Sequence, residues 1–114
     1  MSKGIIFPEN VRLIPEARED LDELDKSQQT EVIKGILKVS KNPAPRPNGY
    51  GEPLKGSLQG FSKIKFLKQG IRVVYRHIKT VNGMFIIIIS MRRDDQVYQI
   101  AEERIKKLRN KGII

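Results

Sequence analysis

Phe61-Ser62-Lys63-Ile64-Lys65-Phe66, Ile71-Arg72-Val73-Val74-Tyr75-Arg76 and Phe85-Ile86-Ile87-Ile88-Ile89, with the turns between them, decide the fold of this chain. In the first segment charge and hydrophobe alternate at a period of two, the pattern of a strand with one buried face. Gln69-Gly70 marks a turn, and Arg72 to Arg76 returns as a second strand. Val81-Asn82-Gly83 turns the chain again into Phe85 to Ile89, which is apolar at every position. A strand apolar on both faces belongs in the middle of a sheet, covered by helices on one side.

Working outward, Val11 to Ile14 reads as a short strand closed by Pro15, a residue well tolerated in the first turn of a helix. Ala17, Leu21 and Leu24 then recur at helical spacing. Asp25 followed by Gln28 forms a capping box for a second helix, whose stripe is Val32, Ile33, Ile36 and Leu37, with Lys34, Lys38 and Lys41 around it. Gly35 weakens that helix slightly and would allow close packing. Asn42 to Pro53 holds four prolines and two glycines and reads as a loop. Beyond the third strand, Asp95 or a neighbour would cap a last helix with Val97, Ile100, Ala101, Ile105 and Leu108 as its buried stripe. The class is therefore α+β, in the order β-α-α-β-β-β-α. A small, twisted, antiparallel-dominated sheet carries an N-terminal helical hairpin and a C-terminal helix.

The 114 residues suit one domain over 1–114, with residues 1–10 as an N-terminal extension. No cysteine is present, which excludes disulfides and thiolate metal sites and is compatible with the cytoplasm. The apolar run from Ile5 to Phe7 is too short for a signal peptide. The longest such run, Met84 to Ile89, is far short of a membrane span, so a soluble protein without a membrane partner is expected.

Charge narrows the partners. Twenty-two Lys and Arg against 13 Asp and Glu give a net charge of +9. Eight of the 13 acids precede residue 32, and none lies between Pro53 and Met91, where seven cations fall. Such a field attracts polyanions and makes their binding salt-dependent. Charge alone reads equally well as a solvated basic surface, but a sheet without compensating acids favours a nucleic acid or an acidic protein.

Strand parity sharpens this. Lys63 and Lys65 share a face, with Ile64 and Phe66 turned to the core. On the next strand Arg72 and Arg76 share a face, opposite Val73, Tyr75 and His77. Arg92 follows the apolar strand, and Tyr98 lies near the start of the last helix. Lys63, Lys65, Arg72, Arg92 and Tyr98 would then converge at one end of the sheet, where cations could grip a phosphodiester. Arg76, Arg93 and Lys68 are auxiliary candidates for RNA contact. His77 is expected to pack at an edge, and Asp94-Asp95 to cap the helix in preference to holding a metal. Tyr75 and Tyr50 are expected to pack in core and loop.

These segments resemble the RelE family of bacterial toxins, which are ribosome-dependent mRNA endonucleases. The resemblance rests on Leu54-Lys55-Gly56, Lys63-Ile64-Lys65, Gly70-Ile71-Arg72-Val73-Val74-Tyr75, Phe85 to Ile89, Arg92 and Val97-Tyr98. It covers most of residues 11–105. Ser90-Met91 replaces a glycine-containing approach to the arginine, and the ten-residue extension is additional. The resemblance implies catalysis without metal or cofactor: the RNA 2′-hydroxyl attacks the adjacent phosphorus and leaves a 2′,3′-cyclic phosphate. It implies Lys65 as general base, Arg92 at the leaving oxygen, Lys63 and Arg72 on the phosphorane, and Tyr98 orienting a nucleotide. Its implied partners are mRNA in the ribosomal A site, rRNA and an acidic antitoxin protein. Alternatives are a ParE-like inhibitor of DNA gyrase and a non-catalytic RNA-binding module.

Overall fold

A computed structural model describes residues 7–114; residues 1–6, most of the expected extension, lie outside the described residues. The chain runs β1 (Val11–Leu13), α1 (Pro15–Glu23), α2 (Lys26–Ser40), β2 (Glu52–Pro53), β3 (Phe61–Phe66), β4 (Ile71–Ile78), β5 (Gly83–Ser90) and α3 (Asp94–Asn110), with single 3-10 turns at Gly56–Leu58 and Lys79–Val81. The strands form one sheet in the order β1-β5-β4-β3-β2. Only the β1–β5 pairing is parallel; the other three are antiparallel. The α+β class and the antiparallel-dominated sheet are as expected. The expected order omits β2, because two residues ending in proline carry no strand periodicity.

Local chemistry explains most boundaries. Pro15 opens α1 directly after Ile14. The capping box is present at α2: Gln28 N donates to Asp25 Oδ1 at 2.8 Å and Asp25 N donates to Gln28 Oε1 at 3.1 Å. The Gln28 N–H, and after it the Ser27 hydroxyl, hold the Asp25 carboxyl below its ordinary value. Gln29 is buried and its Nε2 donates to Leu21 O and Leu24 O, which ties α2 to the end of α1. The α2 stripe corrects the expected one: Val32, Ile36 and Val39 are buried, whereas Leu37 is exposed.

The sheet is covered on both faces, not one. On one face Phe66 of β3 lies against α2, where a Cβ on Gly35 would come within 2.3 Å of its ring. Tyr75, fully buried on the same face, donates from its hydroxyl to Pro43 O at 2.7 Å and so anchors the proline-rich loop. Burial pushes that phenol up to about 12. On the other face α3 packs on β5 and β4 through Val97, Ala101, Ile105 and Leu108.

β5 is interior, flanked by β1 and β4, and Ile86 to Ile89 are all buried. Its pairing to β4 shifts at Val74/Tyr75, leaving Ile87 as an extra residue. Beyond Ile86 the β1 side of β5 has no strand, because β1 ends at Leu13. Two side chains take its place. Arg104 Nη1 donates to Ile87 O at 3.0 Å, and Ile89 N donates to Asp20 Oδ2 at 3.0 Å. Arg104 and Asp20 also pair through two bonds of 2.7 and 3.2 Å. This plug between α1 and α3 was not anticipated, since its members are 84 positions apart.

Candidate active site

Directly opposed residues of antiparallel strands share a face. The register places Lys65 opposite Arg72 and Lys63 opposite Val74, while Ser90 of β5 lies opposite Arg72 on its other side. One face at the end of the sheet nearest the β3–β4 turn therefore carries Lys63, Lys65 and Arg72. α3 begins over that face. Its residue Tyr98 accepts from Lys63 Nζ at 2.8 Å, with the ammonium 5.6 Å from the ring centroid. Arg72 Nη1 donates to Arg92 O at 2.9 Å, fixing the exit of β5 to β4. The structure thus brings together Lys63, Lys65, Arg72, Tyr98 and the backbone of Arg92.

The other candidates are more scattered. The exposed Arg92 lines a cavity of about 520 Å³ that it shares with Asp20, Leu24, Met91, Ile100 and Arg104. Lys68 sits exposed in the β3–β4 turn, and Arg93 pairs at 3.9 Å with Asp95 on the surface. Arg76 does not join the site. It stands opposite Phe61 and Phe85, about 13 Å along β4 from Arg72 at the usual rise per residue. His77 is remote as well, and its Nε2 meets Asn82 Oδ1 at 2.9 Å beside the β4–β5 turn.

Two expectations need correction. The basic face is not uncompensated. Glu52 and Asp94, the acids bracketing the acid-free segment, both fold back onto it. Glu52 is the cross-strand partner of Lys63 and lies 3.5 Å from its Nζ. Asp94 pairs through Oδ1 with Arg72 Nε and lies through Oδ2 3.7 Å from Lys63 Nζ. Nor do the aspartates cap α3. Its N-cap is Arg93, with no side-chain cap bond, and Asp94 and Asp95 occupy the first turn.

The face is also less open than parity implied. The Lys63 side chain is 10% exposed and that of Arg72 16%, because Tyr98 and Asp94 lie over them. Burial favours neutral Lys63, but the Tyr98 hydroxyl and the carboxylates of Asp94 and Glu52 outweigh it and raise its pKa. Lys63 is therefore a fixed cation. Burial likewise works to raise Asp94, yet Lys63, Arg72 and Lys65 hold it below the ordinary carboxylate value. Asp94 was not read as a site residue; the one signal that could have found it is its place four positions before Tyr98, on the same face of α3. Glu52 had no such signal.

No protein-family model and no curated protein matches the sequence. Solved structures do. The isolated RelE toxin of Escherichia coli matches with a TM-score of 0.62 at 24% identity, over 83% of this chain and 96% of that one. E. coli RelE in complex with an antitoxin RelBc peptide matches with 0.63 at 23% identity, over 80% and 90%. The RelBE2 toxin-antitoxin complex of Mycobacterium tuberculosis matches with 0.62 at 24% identity, over 75% and 100%. The chain has the RelE-type toxin fold.

Proposed function

We propose that this protein is the toxin of a type II toxin-antitoxin system and acts as a ribosome-dependent endoribonuclease on mRNA. The observation that carries the reading is the cluster of Lys63, Lys65, Arg72 and Tyr98 where β3, β4 and α3 meet. The RNA 2′-hydroxyl would attack the adjacent phosphorus as its proton passes to a base. The bond to the 5′-oxygen would break, giving a 2′,3′-cyclic phosphate and a 5′-hydroxyl. Fixed cations stabilise the charge that develops on the phosphorane, and Lys63 and Arg72 are held for that task.

Lys63 is unsuited to be the base, because its partners stabilise its charged form. That leaves Lys65, which is exposed and directly opposite Arg72. A lysine must shed its proton to act as a base. Arg92 would meet the leaving oxygen. Tyr98 orients Lys63 through its hydroxyl and offers its ring to a base.

The partners on this reading are mRNA in the A site, rRNA and an acidic antitoxin that neutralises the toxin. The test is to add the protein to translating ribosomes and map new 5′-hydroxyl ends on the mRNA. Codon-phased ends that vanish in Arg92→Ala support the reading. Uncut mRNA on stalled ribosomes would overturn it, and gyrase-dependent DNA breaks instead would transfer the protein to the ParE-like alternative.

A further inference from the structure

We propose that Asp94 is a built-in counter-ion that closes the cradle of Arg72 and Lys63, and that an RNA phosphate enters by displacing its carboxylate. The proposal rests on reading the site as an RNA-phosphate centre and adds how access to it is controlled.

The geometry is that of an anion already in place. The two oxygens of Asp94 are divided between Arg72 Nε and Lys63 Nζ, as two oxygens of one phosphate would be. Asp94 is the outermost of the three: its Oδ1 is buried on Arg72, but the side chain is 40% exposed, against 16% for Arg72 and 10% for Lys63. The cations therefore cannot meet an incoming anion until the carboxylate moves, whereas the carboxylate can turn into water. It makes no side-chain cap to α3. Its negative charge near the helix N-terminus is favourable without any ion pair.

The two cations are not released equally. Glu52 approaches Lys63 from β2, and the Tyr98 hydroxyl accepts a hydrogen bond from it, so Lys63 stays compensated after Asp94 leaves. Among the described residues Arg72 keeps only the carbonyls of Gly70 and Arg92, which carry no formal charge. Arg72 is thus the cation that displacement delivers to the substrate. An anion making one contact would gain little by replacing a carboxylate already there. A strand presenting several phosphates can offset the exchange by meeting Lys65, Lys68 and Arg92 as well. The counter-ion therefore selects polyanions over single phosphates.

The probe is a short single-stranded RNA carrying 2′-O-methyl groups, which cannot be cleaved, with binding followed at several salt concentrations. Asp94→Asn should bind about tenfold more tightly than the parent, and its plot of log K against log salt should steepen by roughly 0.7, because no displaced carboxylate takes up a cation as the phosphate arrives. Asp94→Glu should behave like the parent. Equal or weaker binding by a folded Asp94→Asn, with an unchanged salt slope, would overturn the proposal and make Asp94 a positioning residue for Arg72. Ribosomal mRNA cleavage by the parent is read separately. If the parent cuts and Asp94→Asn gains nothing, the counter-ion falls alone. If Asp94→Asn gains and the parent does not cut, the counter-ion stands and the nuclease reading falls.

Discussion

α3 joins the sheet through two acid–arginine pairs of opposite character. At the open edge of β5, Asp20 and Arg104 are both largely buried, at 14% and 19% exposure, and each also serves a backbone group of β5. At the other, Asp94 meets Arg72 and Lys63 while 40% exposed, and the carboxylate satisfies no orphaned backbone group. Removing one member of the first strands a charge and one β5 backbone group: Ile87 O without Arg104, Ile89 N without Asp20. Removing Asp94 strands no backbone group and opens the buried Arg72 Nε that it covers. The same pairing of residue types is thus a piece of the sheet in one place and a detachable counter-ion in the other.

The largest effect should come from the functional pair. Arg72→Ala should lower mRNA cleavage on ribosomes by about 10²–10³-fold, the usual cost of removing a preorganised donor from a developing anion. The structural pair should answer in stability instead. Arg104→Ala leaves Asp20 buried with Ile87 O unpaired, and should cost about 3 kcal/mol in urea unfolding. The contrast breaks if Arg104→Ala unfolds at the parental midpoint, or if Arg72→Ala loses activity only in proportion to lost folding.

How far each pair was readable follows from sequence distance. Capping box, turns, strands and α3 were legible because their signals lie within a few residues: Asp25 with Gln28, Lys63 to Phe66, Gln69-Gly70. The cations of the site were legible because strand parity and two tight turns fix which side chains share a face. Their counter-ions were not. Glu52 reaches Lys63 through a two-residue strand inside a proline-rich loop, too short to show periodicity. Asp94 has the common signature of a helix-start acid, which concealed its pairing. Asp20 and Arg104 depend on where β1 stops relative to β5, a fact of register with no local trace. The second face of the sheet was missed for a related reason, since a fully apolar strand does not say how many helices cover it.

A smaller effect separates the pairs by pH. The folded-state pKa of Asp94 is depressed, so its contribution to stability is present above the ordinary carboxylate value of 3.8 and is lost as pH falls through the lower folded value. The pKa of Lys63 is raised, so its contribution is full below 10.5 and is lost as pH rises through its higher folded value. With Asp94 so exposed, solvent screening keeps its share under about 1 kcal/mol. Unfolding profiles of the parent and Asp94→Asn should therefore run nearly parallel through neutral pH and converge as acid protonates Asp94. A gap persisting below that transition would mean that Asp94 supports the fold by something other than its charge.

The smallest effect is expected at Arg76, and it tests whether the site has an edge. Parity groups Arg76 with Arg72 on β4, and from sequence alone both belong to one basic face. The register separates them: Arg72 sits between Lys65 and Ser90, whereas Arg76 sits between Phe61 and Phe85. A phosphate held midway between Lys63 and Arg72 is about 10 Å from that row at the usual rise per residue, near the screening length at physiological salt. Arg76→Ala should therefore change cleavage by less than about threefold, through the general field of the protein and not through contact. Its residual effect should shrink as salt is raised, while the loss in Arg72→Ala should persist because a buried contact is screened much less. Comparing the two variants at low and high salt gives the extent of the site directly. If Arg76→Ala falls as far as Arg72→Ala at both, the RNA runs the length of β4 and the site is a track along the sheet, not a pocket at its end.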